Sequence, residues 1–119
     1  MTSEASVKSA VEDLLTVYQN QGKCQWFRMN SGKILALNAD GTKRMVKLHR
    51  PGTLDFLVLI NTNHDAFDAW RVIWIEIKNP QNGQLSDQQR DFIQEQEDAG
   101  AECYVVRDAD EIKRILKEG

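Results

Sequence analysis

The chain predicts an α/β domain: a central mixed β-sheet flanked by helices, with elements in the order α-β-β-β-β-β-α-β-α. Three observations carry that reading. An apolar stripe of helical period opens the sequence. Two almost continuously apolar runs, L-D-F-L-V-L-I and W-R-V-I-W-I-E-I-K, occupy its middle. A helix, a strand and a second helix, each with its own start signal, close it.

The elements follow in order. Val7, Val11, Leu14, Leu15 and Tyr18 recur at helical spacing after Ser3 and before Gly22, which predicts a helix over 4–20. C-Q-W-F-R-M-N, K-I-L-A-L-N and R-M-V-K-L-H read as three short strands. The last two are joined through Asp40-Gly41, a hairpin turn signal, so at least that pair is antiparallel. The two apolar runs are too continuous to have a solvated face and are expected as central strands covered on both sides. Ser86 starts a helix that stops at Gly100, E-C-Y-V-V-R is a strand, and a last helix begins near Asp108, whose D-x-x-E with Glu111 has the form of a capping box.

At 119 residues the chain is large enough to bury a core without disulfides or a structural metal, and 1–119 reads as a single domain. Cys24 and Cys103 are far apart and form no C-x-x-C pattern, so they are expected as reduced, inert thiols. No stretch approaches the roughly 20 apolar residues of a membrane span, and M-T-S-E-A-S lacks the parts of a secretory signal. The expected compartment is the cytoplasm, with no membrane partner.

Net charge is −3, which alone argues mildly against a nucleic-acid partner. The distribution of charge argues the other way. Residues 23–50 carry Lys23, Arg28, Lys33, Lys43, Arg44, Lys47 and Arg50 against Asp40 only, a balance of +6 that leaves −9 for the rest. A basic block running into an acidic site is what a phosphodiesterase needs: the first holds backbone phosphates, the second a cation. A solvated hairpin would carry the same charges.

The acidic site is the more specific signal. Charge is costly in a buried strand, yet Asp55 opens one apolar run and Glu76 and Lys78 lie within the other. Strand alternation puts Glu76 and Lys78 on the face of Trp74, opposite Ile75 and Ile77. If the two strands are neighbours, Asp55 and Glu76 can share a hard cation such as Mg²⁺, with the Ile77 carbonyl and waters completing its oxygen shell. Lys78 would then sit where it can orient or help deprotonate the attacking water and stabilise charge on the phosphate. The blander reading is a strand-capping Asp55 and a Glu76–Lys78 ion pair at a sheet end.

The order G-x-x-D (Gly52 to Asp55), E-x-K (Glu76 to Lys78) and L-S-x-x-Q (Leu85 to Gln89) resembles the VRR-Nuc domain, the virus-type replication and repair nuclease module of the PD-(D/E)xK, restriction-endonuclease-like superfamily. The likeness runs over nearly the whole chain, through R-M-N-S-G (Arg28 to Gly32) to G-A-E-C-Y-V-V-R. It departs from the family pattern at Leu54, where proline is frequent, and in the long span between Asp55 and Glu76. The resemblance implies a restriction-endonuclease-like core, Asp55 and Glu76 as ligands of Mg²⁺ or Mn²⁺, Lys78 as the catalytic lysine and Gln89 as an auxiliary site residue. It also implies an acid on the first helix. Glu4 continues the face of Val7, Val11 and Leu14, whereas Glu12 falls with Lys8, Thr16 and Gln19 on the polar side, so Glu4 is the expected ligand. For Gln89, a capping box with Ser86 is the competing explanation, but it shares a helical face with Phe92, Ile93 and Gln96 and so turns toward the sheet.

Around this centre Arg28, Asn30, Ser31, Lys33, Lys47 and Arg50 are the expected nucleic-acid contacts, Asn30 and Ser31 through the resemblance, although Asn, Ser and Gly also make ordinary turns. His49 sits beside Arg50. His64, Asp65 and Asp68 are read as a polar loop rather than a second metal site, and Trp26, Trp70 and Trp74 as packing rather than base-stacking residues. The activity implied is a metal-dependent DNA endonuclease. Stand-alone members of the family imply a phage or bacterial homodimer acting on branched DNA, like a Holliday junction resolvase, in replication, recombination or repair. The alternatives are an inactive DNA-binding accessory module of the same fold, a nuclease of other specificity, or a purely structural protein.

Overall fold

The computed structural model describes residues 3–29, 33–47, 50–61 and 70–117. Among them the chain forms α1 (Glu4–Asn20), β1 (Gln25–Arg28), β2 (Lys33–Leu37), β3 (Lys43–Lys47), β4 (Phe56–Asn61), β5 (Trp70–Ile77), α2 (Asp87–Asp98), β6 (Glu102–Val106) and α3 (Asp110–Lys117). This is the expected order. Four strands make a sheet in the order β1-β4-β5-β6, while β2 and β3 pair with each other as a separate antiparallel ribbon. β4 runs antiparallel to both β1 and β5, and β5 runs parallel to β6, so the sheet is mixed. A parallel pair cannot be closed by a tight hairpin, and α2 supplies the crossover.

Two layers of helix cover the sheet. On one face Val7, Val11 and Leu15 of α1 and Ile112 and Ile115 of α3 bury against Phe56, Val58, Ile60, Ile73, Ile75, Ile77 and Val106. On the other, Phe92 of α2 packs with Leu54 and Trp74. The rings of Trp74 and Phe92 meet edge to face with centroids 4.9 Å apart, and Trp74 Nε1 donates to Gln96 Oε1 at 3.0 Å. Trp26 meets Phe56 edge to face at 5.7 Å, whereas Trp70, at the start of β5, is exposed. The two apolar runs are thus the central pair of the sheet, but the expected cover on both sides is complete on one face only: Phe56, Val58, Ile60, Ile73, Ile75 and Ile77 are buried there, whereas on the other Trp74 and Glu76 are buried, Leu57, Leu59 and Asn61 half-buried, and Trp70 and Val72 exposed.

Local chemistry sets the helix ends. Ser3 Oγ accepts the Ser6 N–H at the start of α1, and Gly22, with φ of +75°, follows its end. The start of α3 differs from expectation. Asp108 caps the Asp110 N–H at 2.8 Å, two residues on, in a tight turn rather than a capping box with Glu111, and the helix begins at Asp110.

Candidate active site

The last pair of the β4–β5 ladder, Phe56 with Ile75, sets the preceding Asp55 beside Glu76. On its other side Asp55 is fixed by β1, because the Met29 N–H donates to the Asp55 carbonyl at 2.8 Å. Both acids are buried, at 4% and 3% exposure. Each satisfies a backbone group of the other's strand: Asp55 Oδ2 accepts the Ile77 N–H at 2.8 Å, and Glu76 Oε1 accepts the Asp55 N–H at 3.2 Å. At Ile77, where the carbonyl is the expected ligand, the contact with Asp55 is therefore made by the N–H.

Lys78 follows β5, and its Nζ lies 3.4 Å from Glu76 Oε2 with the side chain only 15% exposed. Gln89 Nε2 donates to the same oxygen at 2.7 Å. The glutamine also closes a complete capping box, its Oε1 accepting the Ser86 N–H and its own N–H donating to Ser86 Oγ. The capping box and the turn of this residue toward the sheet are therefore both present. One end of the amide caps α2 and the other holds Glu76.

Gly52 brings α2 to the site. Its φ is +89°, and a Cβ there would lie 2.3 Å from the Gln88 carbonyl oxygen. A side chain would therefore push the P-G-T-L-D turn away from the first turn of α2, the turn that carries Gln89.

Burial raises the Glu76 carboxyl to about 7, with the neighbouring Asp55 charge adding to the effect and Lys78 and Gln89 opposing it. A site that holds two carboxylates together out of water is one that a cation would stabilise.

The helix side of the site departs from expectation. The α1 side chain that reaches Asp55 is Lys8, its Nζ 3.4 Å from Oδ1. Glu4 lies one turn before it, half-buried, and Glu12 one turn after, where it pairs with Arg28 at 2.6 Å. Among the described residues no three His, Cys, Asp or Glu side chains gather into a group that could hold a metal ion, so neither Glu4 nor Glu12 joins Asp55 and Glu76. Sequence reasoning misses Lys8 because it falls at the margin of the stripe, about 100° around the helix from Val7. Its only sequence signal is that position.

Of the expected nucleic-acid contacts, Arg28 is exposed and tied to Glu12, and Arg50 is held on α2 by Glu95 and by the Phe92 ring, 4.9 Å from the guanidinium carbon. Lys33 and Lys47 are register partners at one end of the β2–β3 ribbon, whose exposed Lys43 and Arg44 lie toward the other end. Asn30, Ser31, Gly32, His49, His64, Asp65 and Asp68 lie outside the described residues.

Two carboxylates supply hard oxygen ligands, and Mg²⁺ is commonly held by one or two carboxylates with waters and substrate phosphate rather than by an all-protein cage. The donor set of Asp55 and Glu76 fits that pattern. Comparison of the chain with protein-family models, with curated proteins and with solved structures gives no match.

Proposed function

We propose that the protein is a metal-dependent DNA endonuclease of the restriction-endonuclease-like type, with Asp55 and Glu76 as the ligands of Mg²⁺ or Mn²⁺. The observation that carries this reading is the pairing of two buried carboxylates at one sheet end, with Lys78 and Gln89 both on Glu76 Oε2. The mixed four-stranded sheet with helices on both faces is compatible with such a core.

Within that reading each side chain has a distinct task. Asp55 is oriented by the Ile77 N–H, which ties its Oδ2 to the backbone, while Oδ1 faces Lys8. Gln89 fixes the rotamer of Glu76, so the second ligand is held by α2 as well as by its own strand. Lys78 orients the attacking water, accepts or shares its proton and neutralises charge on the phosphate. A cation held by Asp55 and Glu76 would supply Lewis-acid polarisation of the phosphoryl oxygen and charge stabilisation of the leaving oxygen. The ribbon residues Lys33, Lys43, Arg44 and Lys47, with Arg28 and Arg50, supply the positive charge that holds the DNA backbone. A homodimer acting on branched DNA accounts for how a domain with one site would cut two strands.

The test is cleavage of labelled four-way junction, flap, single-stranded and linear duplex DNA, and of RNA, with Mg²⁺, Mn²⁺ or EDTA, alongside Lys78→Ala. Paired symmetric nicks in the junction, lost in EDTA and in the variant, are the expected result. Binding without cleavage by the wild-type protein would replace this reading with that of an accessory module.

A further inference from the structure

The two acids of the site each have a lysine: Lys78 on Glu76 and, from a different element, Lys8 on Asp55. The two lysines are not equivalent. Lys78 projects from the end of the rigid strand β5 and is 15% exposed, whereas Lys8 reaches in from α1 and is 40% exposed. Its partner oxygen is also distinctive. Asp55 Oδ2 is taken by the Ile77 N–H, while Oδ1 is the oxygen that faces the Lys8 ammonium.

We propose that Lys8 is a tethered counter-ion of Asp55 that competes with a divalent cation for Oδ1 and withdraws toward solvent when the cation binds. This deepens the nuclease reading and rests on it. The physical basis is the position of the charge. An ammonium at 3.4 Å and a divalent ion at the roughly 2 Å required for direct ligation repel each other across one carboxylate oxygen, and of the two lysines at this distance Lys8, 40% exposed against 15% for Lys78, is the one free to withdraw. Lys8 can leave, because a long, partly exposed stem can carry its head into water. Glu4, one turn before it on the same helix, offers the displaced ammonium an acidic neighbour, while Glu12, one turn after, is already paired with Arg28. Lys8 is thus a positioning and selectivity residue: it sets the cation concentration at which the site fills and excludes weakly charged ions from Asp55.

The experiment is a titration of the DNA-free protein with Mn²⁺ by isothermal calorimetry, comparing wild type with Lys8→Gln and Lys8→Arg. Removing the competing charge should tighten Mn²⁺ binding by about fivefold in Lys8→Gln, the range expected for loss of one partly exposed ion pair. Lys8→Arg keeps the charge and should stay within about twofold of wild type, which separates the charge from any general effect of altering α1. Wild-type binding that is unchanged or weaker in Lys8→Gln would overturn the role of Lys8 and leave the nuclease reading standing. Absence of Mn²⁺ binding in all three proteins, each shown folded by circular dichroism, would overturn both.

Discussion

Asp55 and Glu76 are bonded crosswise, each carboxylate closing a backbone N–H of the opposite strand, Ile77 for Asp55 and Asp55 itself for Glu76. The acids therefore continue the β4–β5 ladder past its last backbone pair while carrying the charge of the site. Replacing either one removes a bond of the ladder together with a charge of the site.

Asp55→Ala should destabilise the protein by about 1–3 kcal/mol, because the buried Ile77 N–H loses its partner. Asp55→Asn retains an acceptor oxygen and should recover most of that loss while still abolishing metal-dependent cleavage. Urea unfolding of the two variants side by side checks this; equal stability for Asp55→Ala and wild type would mean that the Ile77 N–H finds another acceptor.

Stability should fall as pH rises through the range in which Glu76 titrates. Burial raises this carboxyl to about 7 from an ordinary 4.5, so between those values the folded chain keeps a proton that the unfolded chain has released. More protons bound in the folded state means that raising pH favours unfolding, from about 4.5 through about 7, with little further effect above. Unfolding free energies measured at about pH 5, 6, 7 and 8 should show this slope, and Glu76→Gln should lose it. A slope identical in the two proteins would assign it to other groups.

Gly52→Ala should cost more than Gly41→Ala, although both glycines have φ of +89°. A Cβ at 41 meets nothing within 4 Å, so that substitution carries only the left-handed backbone penalty of about 1–2 kcal/mol. At 52 the new methyl meets the Gln88 carbonyl at 2.3 Å and adds roughly another 1–3 kcal/mol of overpacking. Paired thermal melts measure the difference, and matched midpoints would show that the turn and α2 separate freely.

Ser86→Ala and Gln89→Ala divide the two duties of the α2 cap. Each should cost about 0.5–2 kcal/mol in stability as the capping box opens. Only Gln89→Ala removes the donor to Glu76 Oε2, so single-turnover cleavage should drop about tenfold or more in that variant and stay near wild type in Ser86→Ala. Equal rates would confine Gln89 to capping.

The fold is legible in the sequence where the physics is local. The length and apolar continuity of 56–61 and 70–77 announce central strands, though not that Trp70 and Val72 stay exposed on one face, and Ser86, Gln89 and Gly100 bracket α2 closely. The facing of Glu76, Lys78 and Gln89 is legible because it follows from strand alternation and helical period, while the placement of Asp55 beside Glu76 enters the sequence reading only as a condition on strand order, which the β4–β5 pairing meets. What depends on how elements dock is not. That β2 and β3 form a ribbon outside the main sheet leaves no mark on their alternation. A helical wheel puts Lys8 on the polar side because it separates polar from apolar faces but does not say that the margin between them ends beside a carboxylate. The Asp108 cap differs for a similar reason: Asp108 and Glu111 have box spacing, but the carboxylate closes a shorter turn first.

The Phe56–Ile75 pairing also guards the quality of the folded population. A slip of one residue between β4 and β5 would part Asp55 from Glu76, and it would also turn Phe56, Val58 and Ile60 out of the core. Assembly of the acidic pair and burial of the interior are thus decided by the same alignment, so a register slip that parts the acids also costs the interior its packing. Every molecule that reaches the native interior should carry a correctly set pair of acids.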